Sequence, residues 1–284
     1  MSSLVLDGGL ATHLEALGCD LSDELWSAKL LLEDPDVIRR AHLDYFEAGA
    51  DVATTASYQA SIPGFVHRGL TTAKAADLIR LSVTLAVQAR DTAGHGVVAA
   101  SVGPYGAYLA NGAEYTGDYD LDYDGLVGWH RERFEILATA GADLLACETI
   151  PSFEEAAALA TLLRESPSVR AWVCFSCRDG EHINDGTPFK ESAALFDDLP
   201  NVVGVGVNCT APRYIPDLIG HGATVVYPNS GEKWDAAAQR WSGLADPVEF
   251  GQAAAQWQTL GATSIGGCCR TTPDHIREIK SRLS

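Results

Sequence analysis

The chain has 284 residues, of which 38 are acidic and 20 basic, and its formal net charge at neutral pH is −18. This excess of acidic groups argues against a nucleic-acid partner, which needs clustered lysine and arginine, and disfavours docking on anionic lipid. The sequence shows neither a run of about 20 apolar residues nor a signal peptide, so we expect a cytoplasmic protein without a membrane partner. Seven cysteines, an odd number in a chain this long, indicate reduced thiols. No feature of the sequence indicates an oligomeric state.

Short apolar runs alternate with longer amphipathic runs along the whole chain. The apolar runs predict eight strands, at residues 4–6, 50–57, 97–102, 143–147, 171–177, 202–207, 224–227 and 263–265. The amphipathic runs predict helices at residues 10–18, 36–49, 71–91, 129–140, 153–165, 190–199, 248–260 and 275–283. Because the strand runs are continuously apolar, we expect both faces of the sheet to be covered.

Eight strand–helix units in a chain of this size predict an α/β fold, a (β/α)₈ TIM barrel that occupies residues 1–284 as a single domain. The alternative is an open, doubly wound sheet. A dinucleotide-binding sheet of that kind carries a G-x-G-x-x-G turn after its first strand, and this chain has Asp7-Gly8-Gly9-Leu10 there instead. The barrel is therefore the favoured prediction.

Polar residues gather directly after the predicted strands. The pairs in these positions are Asp7-Gly8, Ser57-Tyr58, Glu148-Thr149, Asn208-Cys209, Asn229-Ser230 and Cys268-Cys269. In a barrel the carboxyl ends of all strands share one rim, which is where active sites are built. We therefore expect these side chains to form one site, with Asp7 beside Cys268 because the first and last strands pair.

Three of the cysteines carry the most specific signal. Cys268 and Cys269 are adjacent and follow two glycines, which allow the backbone to turn so that both sulfurs face one point. Cys209 follows the sixth predicted strand. Three thiolates that converge in this way are typical ligands of Zn²⁺, and a fourth, open position is the pattern of a catalytic site. The alternative, that all are small buried apolar side chains, is favoured for Cys19 and Cys147.

A second pair of cysteines, Cys174 and Cys177, has the C-x-x-C spacing of redox and zinc motifs. The pair falls in a predicted strand, where an offset of three places the side chains on opposite faces. We therefore predict that these two cysteines do not act together.

Two carboxylates, Asp7 and Glu148, follow strands on the same predicted rim. Either could cap the helix that follows it, and this role suits Asp7 better than Glu148, which precedes Thr149-Ile150-Pro151. As a pair of anions they would bind an ammonium group, and the backbone N–H groups of Gly8 and Gly9 would meet a carboxylate. Together these groups would describe an α-amino-acid site beside a thiophilic metal.

These motifs resemble the homocysteine S-methyltransferase family over nearly the whole chain. The matching segments are Asp7-Gly8-Gly9, Asn208-Cys209 and the run Gly266-Gly267-Cys268-Cys269-Arg270-Thr271-Thr272-Pro273. The short bacterial and plant members, which use S-methylmethionine, are the most similar. Their pattern matches Ser57-Tyr58-Gln59-Ala60, the run from Ser101 to Tyr108, and Tyr227-Pro228-Asn229-Ser230-Gly231-Glu232.

The resemblance implies zinc-dependent methyl transfer to L-homocysteine, giving methionine. It implies a Zn²⁺ ion held by Cys209, Cys268 and Cys269, with the homocysteine sulfur as the fourth ligand. It also implies that Asp7 and Glu148 hold the homocysteine amino group. The residues expected to bind the substrates are Asp7, Gly8, Ser57, Tyr58, Glu148 and Asn229.

The methyl donor is expected to be a sulfonium, S-methylmethionine or S-adenosylmethionine. In the betaine-using relatives a tyrosine follows the glutamate and can ligate zinc, whereas this chain has Thr149. Those relatives also carry a C-terminal extension, and this chain continues for only 15 residues after Cys269. The remaining alternatives are a betaine- or other-donor enzyme, a barrel enzyme with a structural zinc, and a zinc- or thiol-binding barrel without turnover. The carboxylate pair argues against the last of these.

A polar, tyrosine-rich stretch runs from Tyr108 to Tyr123 without a clear element of its own. Loops of this length are uncommon inside compact domains and are often functional. We expect Tyr58, Tyr105, Tyr108 and Tyr115 to surround the sulfonium as a cation–π wall. Ordinary loop packing is an equally weighted alternative for these tyrosines.

Overall fold

The computed structural model of the protein describes residues 3–22, 25–231, 233–235, 240–242 and 245–283. Its strands are β1 (Leu4–Val5), β2 (Val52–Thr54), β3 (Val97–Val102), β4 (Leu144–Ile150), β5 (Ala171–Phe175), β6 (Val202–Asn208), β7 (Val225–Tyr227), β8 (Lys233–Asp235), β9 (Arg240–Ser242) and β10 (Ser264–Ile265). Its helices are α1 (Leu10–Ala16), α2 (Leu30–Glu33), α3 (Pro35–Glu47), α4 (Ile62–His67), α5 (Thr72–Ala93), α6 (Tyr105–Leu109), α7 (Tyr123–Ala138), α8 (Phe153–Glu165), α9 (Phe189–Ala194), α10 (Ile215–Gly220), α11 (Pro247–Leu260) and α12 (Pro273–Leu283).

Eight of the strands form one parallel sheet that closes on itself. Their order is β1-β10-β7-β6-β5-β4-β3-β2, and every neighbouring pair is parallel. The two ends of this order also meet, because Asp7 N donates to Val52 O at 3.0 Å and Asp51 N donates to Val5 O at 2.7 Å. The (β/α)₈ barrel is confirmed, and the open sheet is excluded.

The apolar side chains form two layers. Inside the barrel lie Leu6, Val52, Ala99, Ala146, Trp172, Cys174, Val225 and Tyr227. A larger layer between strands and helices contains Cys177 together with the buried faces of α3, α5 and α8. Cys174 and Cys177 thus point to opposite sides of the sheet, as their spacing predicts.

The barrel needs a glycine where β6 and β7 approach each other. A Cβ atom built on Gly206 would overlap the carbonyl group of Val225. Only a residue without a side chain allows the two backbones to pair here, and this pairing sets Cys209 at the rim.

The eight predicted strands are all present, but several elements differ in extent. β4 continues through Glu148 to Ile150, and its register with β5 shifts between Cys147 and Ile150. Helix α7 begins at Tyr123, six residues earlier than expected, because the Asp122 side chain caps it by accepting from Gly125 N at 3.0 Å.

Short elements account for the remaining differences. Helices α4, α6 and α10 have five or six residues each, which is too short to show a helical period in sequence. The antiparallel pair β8 and β9 was also not predicted. Within the described ranges, none of the helices has the length and apolar character needed to cross a membrane.

Candidate active site

A cavity of about 390 Å³ opens at the carboxyl ends of the barrel strands. Residues that follow β1, β2, β6 and β10 line it, together with the end of β4 and the segment around residue 114. The residues predicted for the site that line this cavity include Gly8, Tyr58, Tyr115, Glu148, Cys209, Cys268 and Cys269. The barrel therefore unites positions that are far apart in sequence, as expected for its rim.

The three predicted cysteines form one cluster. Their sulfur atoms all lie within 4.8 Å of one another, and Cys209 Sγ lies 2.8 Å from Cys268 Sγ. Among the described residues no other group of three possible metal-ligating side chains comes this close. Cys209 adopts a φ of +47°, a strained value for a residue with a side chain, and this turn directs its sulfur toward the other two.

Backbone and side-chain amides hold the cluster in place. The Asn229 side chain accepts a hydrogen bond from Cys269 N at 3.2 Å. The Thr271 hydroxyl donates to Cys268 O at 2.7 Å and accepts from Gly9 N at 3.0 Å. The loop after β10 is thereby joined to the loop after β1, which orients the tandem cysteines before any ligand binds.

The thiols of the cluster differ in pKa. Hydrogen bonds from Cys209 and Cys268 lower the pKa of the Cys269 thiol well below its ordinary value, so this sulfur carries negative charge. Conversely, donation to Cys268 and Cys269 raises the pKa of Cys209. Three half-buried, converging sulfurs fit a soft cation, and Zn²⁺ with three cysteines and one open position is the common case.

The two predicted carboxylates are both buried; Glu148 lines the cavity, whereas Asp7 does not line it and contacts the lining residue Thr54. Asp7 accepts from Thr54 N at 2.8 Å and from Thr54 Oγ1 at 3.1 Å. Burial, reinforced by the neighbouring charge of Glu148, raises the pKa of Asp7 well above its ordinary value. Burial likewise raises the pKa of Glu148 to about 7, although the hydroxyls of Ser101 and Tyr227 donate to it. Two anions buried together are best stabilised by a bound cation.

Thr149 and Asn208 explain how Glu148 reaches the cavity. Thr149 has a φ of +61°, which coincides with the register shift in β4. The Asn208 side chain accepts from Thr149 N at 2.7 Å and donates to Thr149 Oγ1 at 2.8 Å. This pair of hydrogen bonds stabilises a bulge that redirects a side chain, a common use of bulges beside active sites.

The other predicted site residues have different positions. Tyr58 lines the cavity and is hydrogen-bonded to Thr149. Ser57 is fully buried behind the lining, where its hydroxyl donates to Ser101 O at 2.7 Å. Asn229 does not line the cavity either, and its side chain contacts the Cys269 backbone. Ser57 and Asn229 are thus placed to support lining residues, and Glu232 lies outside the described residues.

Two expectations need correction. Gly9 N donates to Thr271 O at 3.2 Å and to Thr271 Oγ1, so it is already engaged and does not await a ligand carboxylate. Tyr105 and Tyr108 do not line this cavity but pack on Trp129, with ring centroids 5.2 and 6.0 Å from it. Loop packing, the alternative, describes these two tyrosines.

Sequence reasoning missed Glu114 and Tyr227, both of which line the cavity. Tyr227 ends β7 and donates to Glu148, so its position at a strand end was an available signal. Glu114 lies in a 3₁₀ turn, Ala113–Tyr115, that follows no strand directly. The neighbouring residue, Tyr115, was predicted to lie at the site, and the Tyr115 hydroxyl is hydrogen-bonded to the Cys269 sulfur.

A (β/α)₈ barrel with three clustered cysteines and two buried carboxylates at its mouth defines a class of enzyme that activates a thiol beside an amino-acid pocket. The model of the homocysteine S-methyltransferase family matches residues 4–283. The chain belongs to this family.

Individual relatives agree over nearly their full length. The chain is 48% identical to homocysteine S-methyltransferase YbgG of Bacillus subtilis, with 97% of this chain and 93% of that protein covered. It is 50% identical to homocysteine S-methyltransferase of Escherichia coli, with 98% and 94% covered.

The fold is also that of a solved relative. The oxidised form of the homocysteine methyltransferase MmuM from Escherichia coli superimposes with a TM-score of 0.90 at 48% identity, covering 99% of this chain and 96% of that chain. The metallated form of MmuM gives a TM-score of 0.87 at the same identity and coverage. A metal-bound relative and the cysteine cluster of this chain together indicate a metal site.

Proposed function

We propose that the protein transfers a methyl group from a sulfonium donor, S-methylmethionine or S-adenosylmethionine, to the sulfur of L-homocysteine, giving methionine. The observation that carries this proposal is that three clustered cysteines and the buried Glu148 line one cavity, with the buried Asp7 close to Glu148. This arrangement suits an acceptor that has a thiol at one end and an ammonium group at the other.

We propose that the metal is zinc, held by Cys209, Cys268 and Cys269. The donor set fits, because three thiolates on a borderline soft cation leave one position for a further sulfur ligand. When bound, zinc would keep the homocysteine sulfur in its thiolate form at neutral pH. A free thiol would be only a few per cent ionised there.

The carboxylates of Asp7 and Glu148 bind the acceptor's ammonium group in this proposal. Both are buried beside each other, and each retains hydrogen bonds from Thr54 or from Ser101 and Tyr227 that fix its direction. Because the ammonium charge is unchanged in the reaction, this contact orients the acceptor without opposing the chemical step.

In the chemical step the homocysteine thiolate donates an electron pair to the methyl carbon. The bond between that carbon and the donor sulfur breaks, and its electrons stay on the donor sulfur, which leaves as a neutral thioether. No proton goes to the leaving group, so no general acid is required.

Aromatic side chains surround the place where the positive sulfur would lie. Tyr58, Tyr115 and Tyr227 line the cavity, and Tyr58 and Tyr115 both lie near Cys209. Aromatic faces attract a cation while leaving it weakly bound, which suits a group whose charge disappears during transfer.

The test replaces Cys209, Cys268 and Cys269 singly by alanine. Each variant is expected to lose nearly all of about one equivalent of zinc, together with methyl transfer, because two thiolates do not complete the site. Cys19→Ala is the matched control and should keep both properties, since Cys19 lies outside the cluster. Full zinc content in all three variants would contradict the proposed metal site.

A donor panel completes the test. The purified protein is expected to methylate homocysteine with S-methylmethionine or S-adenosylmethionine when no cobalamin or folate is added. Turnover with betaine alone, or an absolute requirement for cobalamin or folate, would contradict the donor assignment.

A further inference from the structure

One acidic side chain at the cavity has no role in the scheme above. Glu114 lies in the 3₁₀ turn Ala113–Tyr115 and lines the cavity beside Tyr115 and Cys269. It is not one of the clustered metal-ligating groups, which within the described residues are three sulfurs and no carboxylate oxygen. Its carboxylate is therefore free for another task.

The Glu114 carboxylate is only half satisfied. Backbone N–H groups of Gly112 and Glu114 donate to it, which fixes its orientation. Its Oε2 atom is buried and has no hydrogen-bond partner in the described part of the chain. An unpaired buried oxygen is costly, and in native proteins it commonly marks a place for a ligand, ion or water.

The turn that carries Glu114 is built to stay in place. A Cβ atom on Gly106 would overlap the backbone nitrogen of Glu114, so helix α6 packs directly against this turn. On the other side, the Ser176 hydroxyl donates to Glu114 O at 3.3 Å, and Asn184 donates to that hydroxyl at 2.9 Å. The carboxylate is thus held in position before a ligand arrives.

Glu114 is distinct from Asp7 and Glu148, the two carboxylates proposed to bind the acceptor. The charge of Glu148 acts on Asp7, and the charge of Cys269 acts on both Glu148 and Glu114, but neither Asp7 nor Glu148 is among the charges that act on Glu114. The cavity lining accordingly has one carboxylate at Glu148, with Asp7 close to it, and another at Glu114. With no basic residue in the described lining, nothing from the protein neutralises the second carboxylate.

We propose that the Glu114 carboxylate binds the positive charge of the methyl donor, which rests on the proposed function. The acceptor brings one cationic group, its ammonium, and the paired carboxylates account for it. The donor brings a sulfonium, and as an amino acid it also brings an ammonium. The ammonium would donate a hydrogen bond to the unpaired oxygen, whereas the sulfonium would interact with its negative charge.

The experiment measures steady-state kinetics of Glu114→Gln, which keeps the shape and removes the charge. The donor KM with S-methylmethionine is expected to rise tenfold or more, as for loss of a buried charged contact, while the homocysteine KM stays within about twofold. Asp118→Asn is the matched control, because it removes the same charge from an exposed position in the same segment. It should leave both constants unchanged.

A second donor distinguishes the two cationic groups. Dimethylsulfoniopropionate has the sulfonium but no ammonium. If Glu114→Gln impairs both donors equally, the carboxylate acts on the sulfonium; if it impairs only S-methylmethionine, it acts on the ammonium. Both results support the proposal. An unchanged donor KM, or a rise confined to homocysteine, overturns it.

Two further measurements keep the outcome decisive. Zinc content and thermal midpoint of Glu114→Gln should equal those of the wild type, and Glu114→Asp, which retains the charge, should recover part of the donor affinity. If Glu114→Asp has normal zinc content and stability but recovers none of the donor affinity, the result would count against a charge contact. Failure of the wild type to use any sulfonium would instead contradict the proposed function.

Discussion

At the scale of single residues, the site depends on burying charges in pairs. Asp7 and Glu148 lie together in the barrel mouth, and burial raises the pKa of both carboxyls. Folding therefore disfavours their ionised forms, and the proposed binding of an ammonium group would favour them again. The pKa of Glu148, about 7, makes this exchange measurable near neutral pH.

The affinity for homocysteine should therefore fall in mild acid. At about pH 6, one unit below the pKa of Glu148, about a tenth of the carboxyl is ionised, so kcat/KM for homocysteine should drop about tenfold from its alkaline plateau. Glu148→Gln should raise the homocysteine KM tenfold or more and flatten this part of the pH profile. An equally steep profile in Glu148→Gln would assign the titration to another group.

The raised pKa of Glu148 also makes the stability of the ligand-free protein depend on pH. Because folding raises the pKa of Glu148 from near 4.5 to about 7, ionisation of this group destabilises the ligand-free protein as pH rises through that interval. Homocysteine should offset this loss above about pH 7. The ligand-induced rise in thermal midpoint should accordingly be larger in the wild type than in Glu148→Gln.

At the scale of elements, the segment from α6 to the start of α7 carries four residues of the cavity lining, Ala110, Gly112, Glu114 and Tyr115. It has few backbone hydrogen bonds of its own, and side chains anchor it. Tyr119 donates to the buried Glu155 at 2.9 Å, and Tyr105 N donates to the same carboxylate at 2.6 Å. The segment is therefore a rigid wall of the site, although its sequence has the composition of a loop.

Gly106→Ala tests that wall. The added methyl group would overlap the backbone at Ala113 and Glu114, so the turn must shift, with an expected loss of about 1–3 kcal/mol in unfolding free energy. The donor KM should rise more than the homocysteine KM. Gly128→Ala is the control, because this exposed helical glycine has open space around it and alanine there should be neutral or stabilising. Equal effects of both variants would contradict the close packing.

At the scale of the whole molecule, the proposed metal ligands follow two strands that are not neighbours. Cys209 follows β6, the tandem cysteines follow β10, and β7 lies between them. A metal held by all three would join the sheet across β7, close to where β10 pairs with β1. Binding only to the folded barrel stabilises it by mass action, about 4 kcal/mol at a thousandfold excess over Kd.

Removal of zinc with a chelator should consequently lower the thermal midpoint by several degrees, and added zinc should restore it. The measurement is differential scanning calorimetry with and without one equivalent of zinc. Cys209→Ala should show no response, whereas Cys19→Ala should respond like the wild type. A zinc response that survives in Cys209→Ala would place the ion elsewhere.

The sequence alone was enough to predict the barrel, the rim and the three cysteines. These features follow from local patterns, because continuous apolar runs, alternating helices and residues directly after strands can be read without knowing any contact. The family resemblance assigned the same cysteines to the metal. The short helices and the β8–β9 pair carried no comparable pattern.

Only the tertiary structure decided what each polar group does. The Gly9 N–H is hydrogen-bonded to the loop after β10, and Ser57 and Asn229 do not line the cavity. Glu114 emerged as a lining residue because α6 and the end of β5 press its turn into the barrel mouth. Burial and hydrogen-bond partners are properties of contacts between distant residues, so no local pattern could have revealed them.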